Sequence, residues 1–372
     1  MPVYIHDIAT SVPEGSNSQD VVREIMKSAL AKDRKTQAIL HRIYSQSGIE
    51  KRHSVINEFH QREKQNPYLN GTISSTPTTR ERNDVYKTAA SSLFVETGKK
   101  LLDSNSHINK NDVTHVITVS CTGFYAPGPD YDLIKQLGLS PSTQRFHLGF
   151  MGCFAAFPAL KMAHSFCENN IDAVVLIVAT ELCSLHFQQK TDLDNLISAS
   201  VFADGSAGVL VSSKKSPKSS YEIKAFASSL TPNGEKDMAW DIGDHGFDMI
   251  LSTYVPDIIE SNLKQVIQPL FDRYNLNHND VNYWAIHPGG RAIIDKIESA
   301  LHLKKYQVAA SRNTLAQYGN MSSVTVLFVL KQLMDSKPDK DSIVLPMAFG
   351  PGLTIESGLL KADSPQTRAR IF

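Results

Sequence analysis

The sequence predicts a layered α/β protein built of two similar halves. Three observations carry that reading. From Val113 onward, short apolar runs rich in β-branched residues alternate with helical stretches. The alternation occurs on both sides of a Lys/Ser/Pro segment at 212–220, and each time it ends in adjacent strands. Finally, 372 residues, 41% hydrophobic and 20% charged, can bury a large core without disulfides or metals. No residue-level repeat is visible, so the duplication is read from pattern alone, with halves at 1–215 and 216–372.

In chain order, VYIHDIAT is the first strand, alternating in polarity and stopped by Ser11-Val12-Pro13. Residues 20–64 are charged and helix-compatible with few apolar anchors, and 66–83, rich in Asn, Thr, Pro and Gly, read as a surface loop. A helix is predicted from Val85 to Leu102. THVITVSCTG follows as a buried strand, YDLIKQLGL as a helix closed by glycine, and RFHLGF as a strand leading into a helix over 154–169. DAVVLIVATEL is continuous and β-branched, as befits a strand covered on both faces. SASVFADGSAGVLVSS reads as two apolar runs about an Asp-Gly turn. The second half opens with the strand YEIKAFASSL and the amphipathic helix VPDIIESNLKQVIQPLFDRY. VNYWAIHPGG is a strand ending in a loop, RAIIDKIESAL and SSVTVLFVLKQLMD are helices, and DSIVLPMAFGPGLTIESGLL is a hairpin-like strand pair.

Bulk charge excludes little but points nowhere unusual. Lys plus Arg equals Asp plus Glu, 38 each, so neither nucleic acid nor an anionic membrane is indicated as a partner. The N-terminus lacks a basic region followed by an apolar run, so no secretory signal is expected. The longest apolar stretches, such as Ala173 to Ala179, are far shorter than a membrane span. Of the four cysteines, Cys121, Cys153, Cys167 and Cys183, none form a C-x-x-C pair, which argues against structural zinc. A reduced, cytoplasmic enzyme is the expectation.

Three loop-borne groups could assemble one site. Cys153, in Phe150-Met151-Gly152-Cys153-Phe154-Ala155-Ala156, is expected to begin a helix after a glycine turn. Unsatisfied N–H groups and the macrodipole there would favour thiolate, and Ala155 and Ala156 would allow close packing. Pro158 is expected just past the first turn, loosening the helix. His287, in Ile286-His287-Pro288-Gly289-Gly290, ends a strand, where open α/β sheets place ligands. Asn320, in Tyr318-Gly319-Asn320-Met321-Ser322-Ser323, precedes a helix cap and has an amide free to donate. Taken singly, each has a plain alternative: an inert buried thiol, one ordinary histidine among thirteen, and an asparagine that shapes a turn. Taken jointly, they are three reactive side chains on separate α/β units. No G-x-S-x-G, H-E-x-x-H, Walker loop or dinucleotide fingerprint competes with them.

Five motifs in order, MGCFAA, VFADGSAG, IHPGGRAIID, YGNMSS and the closing FGPG (Phe349 to Gly352), resemble the type III polyketide synthases, the chalcone and stilbene synthase superfamily. The resemblance runs from the first strand to about Leu360, and the CTGFYAPGPD loop is closer to bacterial members. It implies a thiolase-like five-layered αβαβα fold, a homodimer and a buried site reached by a tunnel for a phosphopantetheine arm. Cys153 aligns with the nucleophile, His287 and Asn320 with its partners, Phe202 with the phenylalanine beside the tunnel, and Gly350 and Pro351 with the pocket. The implied reaction loads an acyl-CoA starter on Cys153 and extends it by decarboxylative condensation with malonyl-CoA. Cyclisation to a pyrone, resorcinol or phloroglucinol-type product follows. The chemistry of the three groups agrees: a thiolate attacks the thioester while imidazole and amide donors hold the oxyanion. No metal or organic cofactor is required.

Several positions depart from the plant pattern. Arg42 matches one of three basic residues that bind coenzyme A, whereas Ile39 and Gln46 fall where lysines are usual. An acyl carrier protein is therefore an alternative starter donor. Met249 stands for a phenylalanine, Cys183 and His186 for threonines, Trp240 for a glycine, and Cys121 for a threonine. Ala126 replaces a methionine that reaches into the neighbouring subunit. These changes predict a reshaped substrate cavity. A 3-oxoacyl carrier-protein synthase III of fatty acid initiation shares the trio and the fold, but FGPG, GNMSS and Phe202 favour the polyketide reading. A non-catalytic condensing-fold subunit is opposed by the intact trio, and a cysteine hydrolase finds no support in HPGG or FGPG.

Overall fold

The structure is a computed structural model and describes residues 1–56, 76–232 and 234–364. Its seam is β1 (Val3–Ser11), which pairs antiparallel with β7 (Asp204–Ser212) on one side and β8 (Ser220–Leu230) on the other. Outward from β7 run β6 (Val174–Leu182), β4 (His115–Ser120) and β5 (Gln144–Gly149). Outward from β8 run β13 (Thr354–Asp363), β12 (Ile343–Gly350) and β11 (Tyr283–Ile286). On the first side β7 and β6 are antiparallel and β6 and β4 parallel. On the second, β13 and β12 are antiparallel and β12 and β11 parallel. Outward from the β1–β8 pair, two antiparallel pairings followed by a parallel one thus occur on both sides.

Side-chain alternation along these strands builds the layers. Val116, Leu176, Val178 and Leu210 face α3 (Thr79–Ser104) and α4 (Pro129–Leu137). Their neighbours Ile117, Val175, Ile177 and Val209 face α5 (Ala156–Asn169) and α10 (Thr325–Asp335). The second half closes on the same inner helices through Ala285, Val344, Ala348 and Leu360. It turns Trp284, Ile286, Leu345 and Met347 outward onto α7 (Val255–Tyr274) and α8 (Arg291–Ala300). Helix, sheet, helix, sheet and helix follow in turn, the five layers expected. Every residue of β6 is buried, as its unbroken β-branched composition requires.

Several local expectations are corrected. The charged stretch 20–64 is helical as expected in α1 (Gln19–Leu30) and α2 (Arg34–Gln46) but also holds β3 (Lys51–His53), which pairs with β2 (Ser16–Ser18); its residues 57–64 lie outside the described residues. Its anchors are sparse yet sufficient: Val22, Met26 and Leu30 on one helix, Leu40 and Tyr44 on the other. α3 begins at Thr79 rather than Val85, because Thr78 and Glu81 form a capping box. The rest of the predicted surface loop, through 75, lies outside the described residues. Asp204 and Gly205 open β7 and are not a hairpin turn; the run before them is α6 (Leu193–Val201). Tertiary bonds override the turn propensity, since the Asp204 carboxylate accepts from Val55 N, Ser184 N and Ser184 Oγ at 2.8, 2.8 and 2.5 Å. The hairpin of β9 (Met238–Gly243) and β10 (Gly246–Leu251), and α9 (Ala309–Tyr318), were not foreseen. Each is short and weakly patterned. Among the described residues no helix is long and apolar enough to cross a membrane.

Leu176 is fully buried between β6 and α3. Leu176→Ala should lower unfolding free energy by about 2–5 kcal/mol in a urea titration, the cost of lost transfer energy plus a cavity.

Candidate active site

The turn that carries Cys153 is shaped by backbone geometry. After β5, Phe150 and Gly152 adopt left-handed φ values of 59° and 86°. A Cβ at Gly152 would lie 2.3 Å from Pro351 Cδ, so glycine is required on both counts. Cys153 follows in a turn, and α5 begins only at Ala156, three residues later than Cys153. The helix start is therefore displaced from the expected position. Pro158 becomes the third residue of α5, where its missing N–H has no intrahelical partner to lose. It costs the helix no hydrogen bond, contrary to the expectation of loosening.

The three motif residues line one cavity of about 610 Å³, its open mouth included. His287 is held by its backbone N–H donating to Met347 O at 2.8 Å. Both of its ring nitrogens are buried without a hydrogen-bond partner. Burial pushes its pKa down to about 3, so the ring is neutral. Asn320 Oδ1 accepts from Ser322 N at 2.8 Å, and because a backbone N–H can only donate, the amide orientation follows. Its Nδ2 donates to Gly289 O at 3.1 Å and also reaches the Cys153 sulfur. Cys153 is partly accessible, yet desolvation by the surrounding protein pushes its thiol up to about 12. Hydrogen bonds from Ser322 and Asn320 oppose that rise. A helix start at Cys153 would lower the thiol; here the helix begins three residues later and burial in an apolar cavity raises it instead.

The other sequence candidates distribute unevenly. Cys121, Phe202, Trp240, Met249 and Pro351 line the same cavity as the trio. Cys183 and His186 instead line a second cavity of about 770 Å³, which shares Phe202, Trp240 and Met249 with the first. His186 Nδ1 accepts from Phe247 N at 3.1 Å, so its Nε2–H donates to Thr122 O at 2.8 Å. Its ring stacks on Phe247 with centroids 3.9 Å apart, making it a wall element with no free nitrogen. Gly350 packs beneath the nucleophile: a Cβ there would meet Phe154 Cδ1 at 2.4 Å. Ala126 is exposed and lines neither cavity. Arg42 is exposed on α2, with Nε 3.5 Å from Gln46 Oε1.

One residue escaped the sequence reading. Glu181, fully buried near the end of β6, accepts from Cys121 N and Thr122 Oγ1 at 2.9 Å each and from Ser323 Oγ at 2.5 Å. It ties the end of β4 to the loop that carries Asn320. Burial raises its pKa to about 7. An acidic residue inside an otherwise unbroken apolar strand was the available signal.

A Cys, a His and an Asn from three separate loops thus line one largely apolar cavity of a thiolase-like α/β fold. Family models described as "Chalcone and stilbene synthases, N-terminal domain" and "C-terminal domain" match residues 2–215 and 222–363. The chain belongs to the chalcone and stilbene synthase family, the type III polyketide synthases. Among solved structures it is similar to PKS-I from the brown alga Ectocarpus siliculosus, with 27% identity over 97% of this chain and 98% of that one, at a TM-score of 0.89. It is also similar to the C-terminal type III polyketide synthase domain of Steely1, a type I/III hybrid from Dictyostelium, with 28% identity, coverage of 97% and 99%, and a TM-score of 0.90.

The folded pKa of Glu181, about 7, lies above the 4.5 of an ordinary glutamate, so the native state binds more protons than the unfolded one between those values. Stability therefore falls as pH rises through that window. In Glu181→Gln, urea midpoints measured across the same window should decline less steeply than in the parent.

Proposed function

We propose that the protein loads an acyl starter from coenzyme A onto Cys153. It then extends the starter by repeated decarboxylative condensation with malonyl-CoA and releases a cyclised pyrone, resorcinol or phloroglucinol-type product. The observation that carries this is the pair of orphaned His287 ring nitrogens in the same cavity as Cys153 and the Asn320 amide. Buried polar atoms are nearly always partnered, so these positions fit a ligand oxygen.

Cys153 Sγ gives its proton to His287 and attacks the thioester carbonyl; coenzyme A leaves as its thiol after protonation. Joint transfer keeps the pair neutral overall, which offsets the burial that opposes either charge alone. The tetrahedral oxyanion accepts from the imidazole N–H and from Asn320 Nδ2. At the same two donors, malonyl thioester loses CO2 as its electron pair moves into an enolate. The enolate carbon attacks the Cys153 acyl carbon and the thiolate leaves. Apolar neighbours such as Phe202 and Met249 disfavour the carboxylate relative to neutral CO2. The steps need no metal or organic cofactor.

Members of the family use acyl-CoA and malonyl-CoA and typically work as homodimers. We extend that homodimer to this chain, with halves 1–215 and 216–372, Arg42 on the coenzyme A side, and a cytoplasmic setting. Incubation with acyl-CoA and labelled malonyl-CoA tests the reading by product mass spectrometry. Multiply extended, cyclised products support it; a single ketoacyl product on a carrier protein would overturn it. Cys153→Ala should abolish all product. Cys153 alkylation by iodoacetamide, followed against pH, should move to higher pH in His287→Ala and slow severalfold at neutral pH, because the proton acceptor is gone.

A further inference from the structure

The second cavity lies across the wall of Phe202, Trp240 and Met249. Val22, Met26, Phe187 and Phe247 give it an apolar body. Two polar groups in its lining have unmet capacity. Asn17, 6% exposed, has its Oδ1 buried without any partner. Arg52 is the residue directly opposite Asn17 in the β2–β3 pair, so their side chains share a face. Its Nε donates to Gln19 Oε1 at 2.9 Å, and its Nη1 to the carbonyls of Ala199 and Phe202 at 2.9 and 2.6 Å. All three acceptors are uncharged; Tyr44 also bonds the guanidinium, and with four acceptors for five N–H groups one donor remains unspent. An orphaned acceptor and a spare cationic donor therefore adjoin within one largely apolar cavity. Orphaned buried polar groups are rare in proteins and call for an explanation. A hydroxyl group answers both at once, accepting from Arg52 Nη2–H and donating to Asn17 Oδ1.

Trp240 stands between the two cavities. It meets Phe202, His186 and Phe247 edge-on, with centroids 6.1, 6.0 and 6.1 Å away, and its buried Nε1 has no partner. Turning the indole aside breaks ring contacts but no hydrogen bond.

We infer that the second cavity receives the distal part of the starter's acyl chain past Trp240 and selects a chain with a hydroxyl near its end over a plain alkyl chain. This rests on the acyl-starter reading above. Binding to Cys153→Ala protein tests it without turnover, so its failure is separable from failure of the condensation chemistry. Calorimetric titrations would compare hexanoyl-CoA, long-chain acyl-CoA up to hexadecanoyl, and terminally hydroxylated counterparts. The hydroxylated long chain should bind about fivefold to tenfold more tightly than the plain one. Asn17 makes no side-chain hydrogen bond, and Asn17→Leu should erase that ratio. Ala199 lines only the second cavity, so Ala199→Phe should lower the long-to-short affinity ratio at least tenfold. Ratios within one variant stay readable even if a substitution lowers the folded fraction. Equal affinity for plain and hydroxylated chains, or an unchanged length ratio in Ala199→Phe, would overturn the inference. So would tighter binding of a chain that ends in a carboxylate.

Discussion

The hydrogen bonds that pass through Asn320 hold the site together. Its backbone N–H donates to Val201 O and its carbonyl accepts from Ala203 N, both at 2.8 Å, which fixes the loop beside Phe202. Its side chain accepts from Ser322 N and donates to Gly289 O, which fixes the loop after His287. One residue thus joins the first half, where Phe202 stands, to both reactive loops of the second. The remaining N–H of its amide is turned to the Cys153 sulfur and the cavity rather than to the scaffold. A rigid donor costs little reorganisation when charge develops, and this is what oxyanion stabilisation requires.

Burial sets the chemistry of everything around that joint. It pushes the Cys153 thiol up to about 12 and the His287 imidazole down to about 3, so both rest neutral. It raises Glu181 to about 7 while three donors hold it in place. A site in which single charges are disfavoured and paired proton transfer is not favours reactions that move charge briefly between neighbours. Thioester exchange and enolate formation are reactions of that kind.

The three candidate residues were legible because each sits in a short motif whose chemistry and loop position can be read locally. Cys153 after a glycine, His287 at a strand end and Asn320 before a helix keep their loop contexts in the structure. The strongly patterned strands were legible as well, β6 above all. Weakly patterned segments were not. The β9–β10 hairpin, which brings Trp240 and Met249 to the cavity, gives little periodic signal. Asp204-Gly205 looked like a turn because turn propensity is local, whereas the three donors that hold Asp204 come from residues distant in sequence.

By itself the sequence determined the layered α/β class, the family resemblance and the three candidate side chains that prove to share a cavity, since these depend on periodicity and short motifs. Only the tertiary structure decided which pocket candidates share a cavity with Cys153. Cys121, Trp240 and Met249 do, while Cys183 and His186 stand across the wall and Ala126 lies outside. It also decided that Glu181 belongs to the site and that Asn17 and Arg52 meet in a second cavity. Those facts depend on which surfaces are buried against each other, and burial between residues far apart in the chain has no local signature in the sequence.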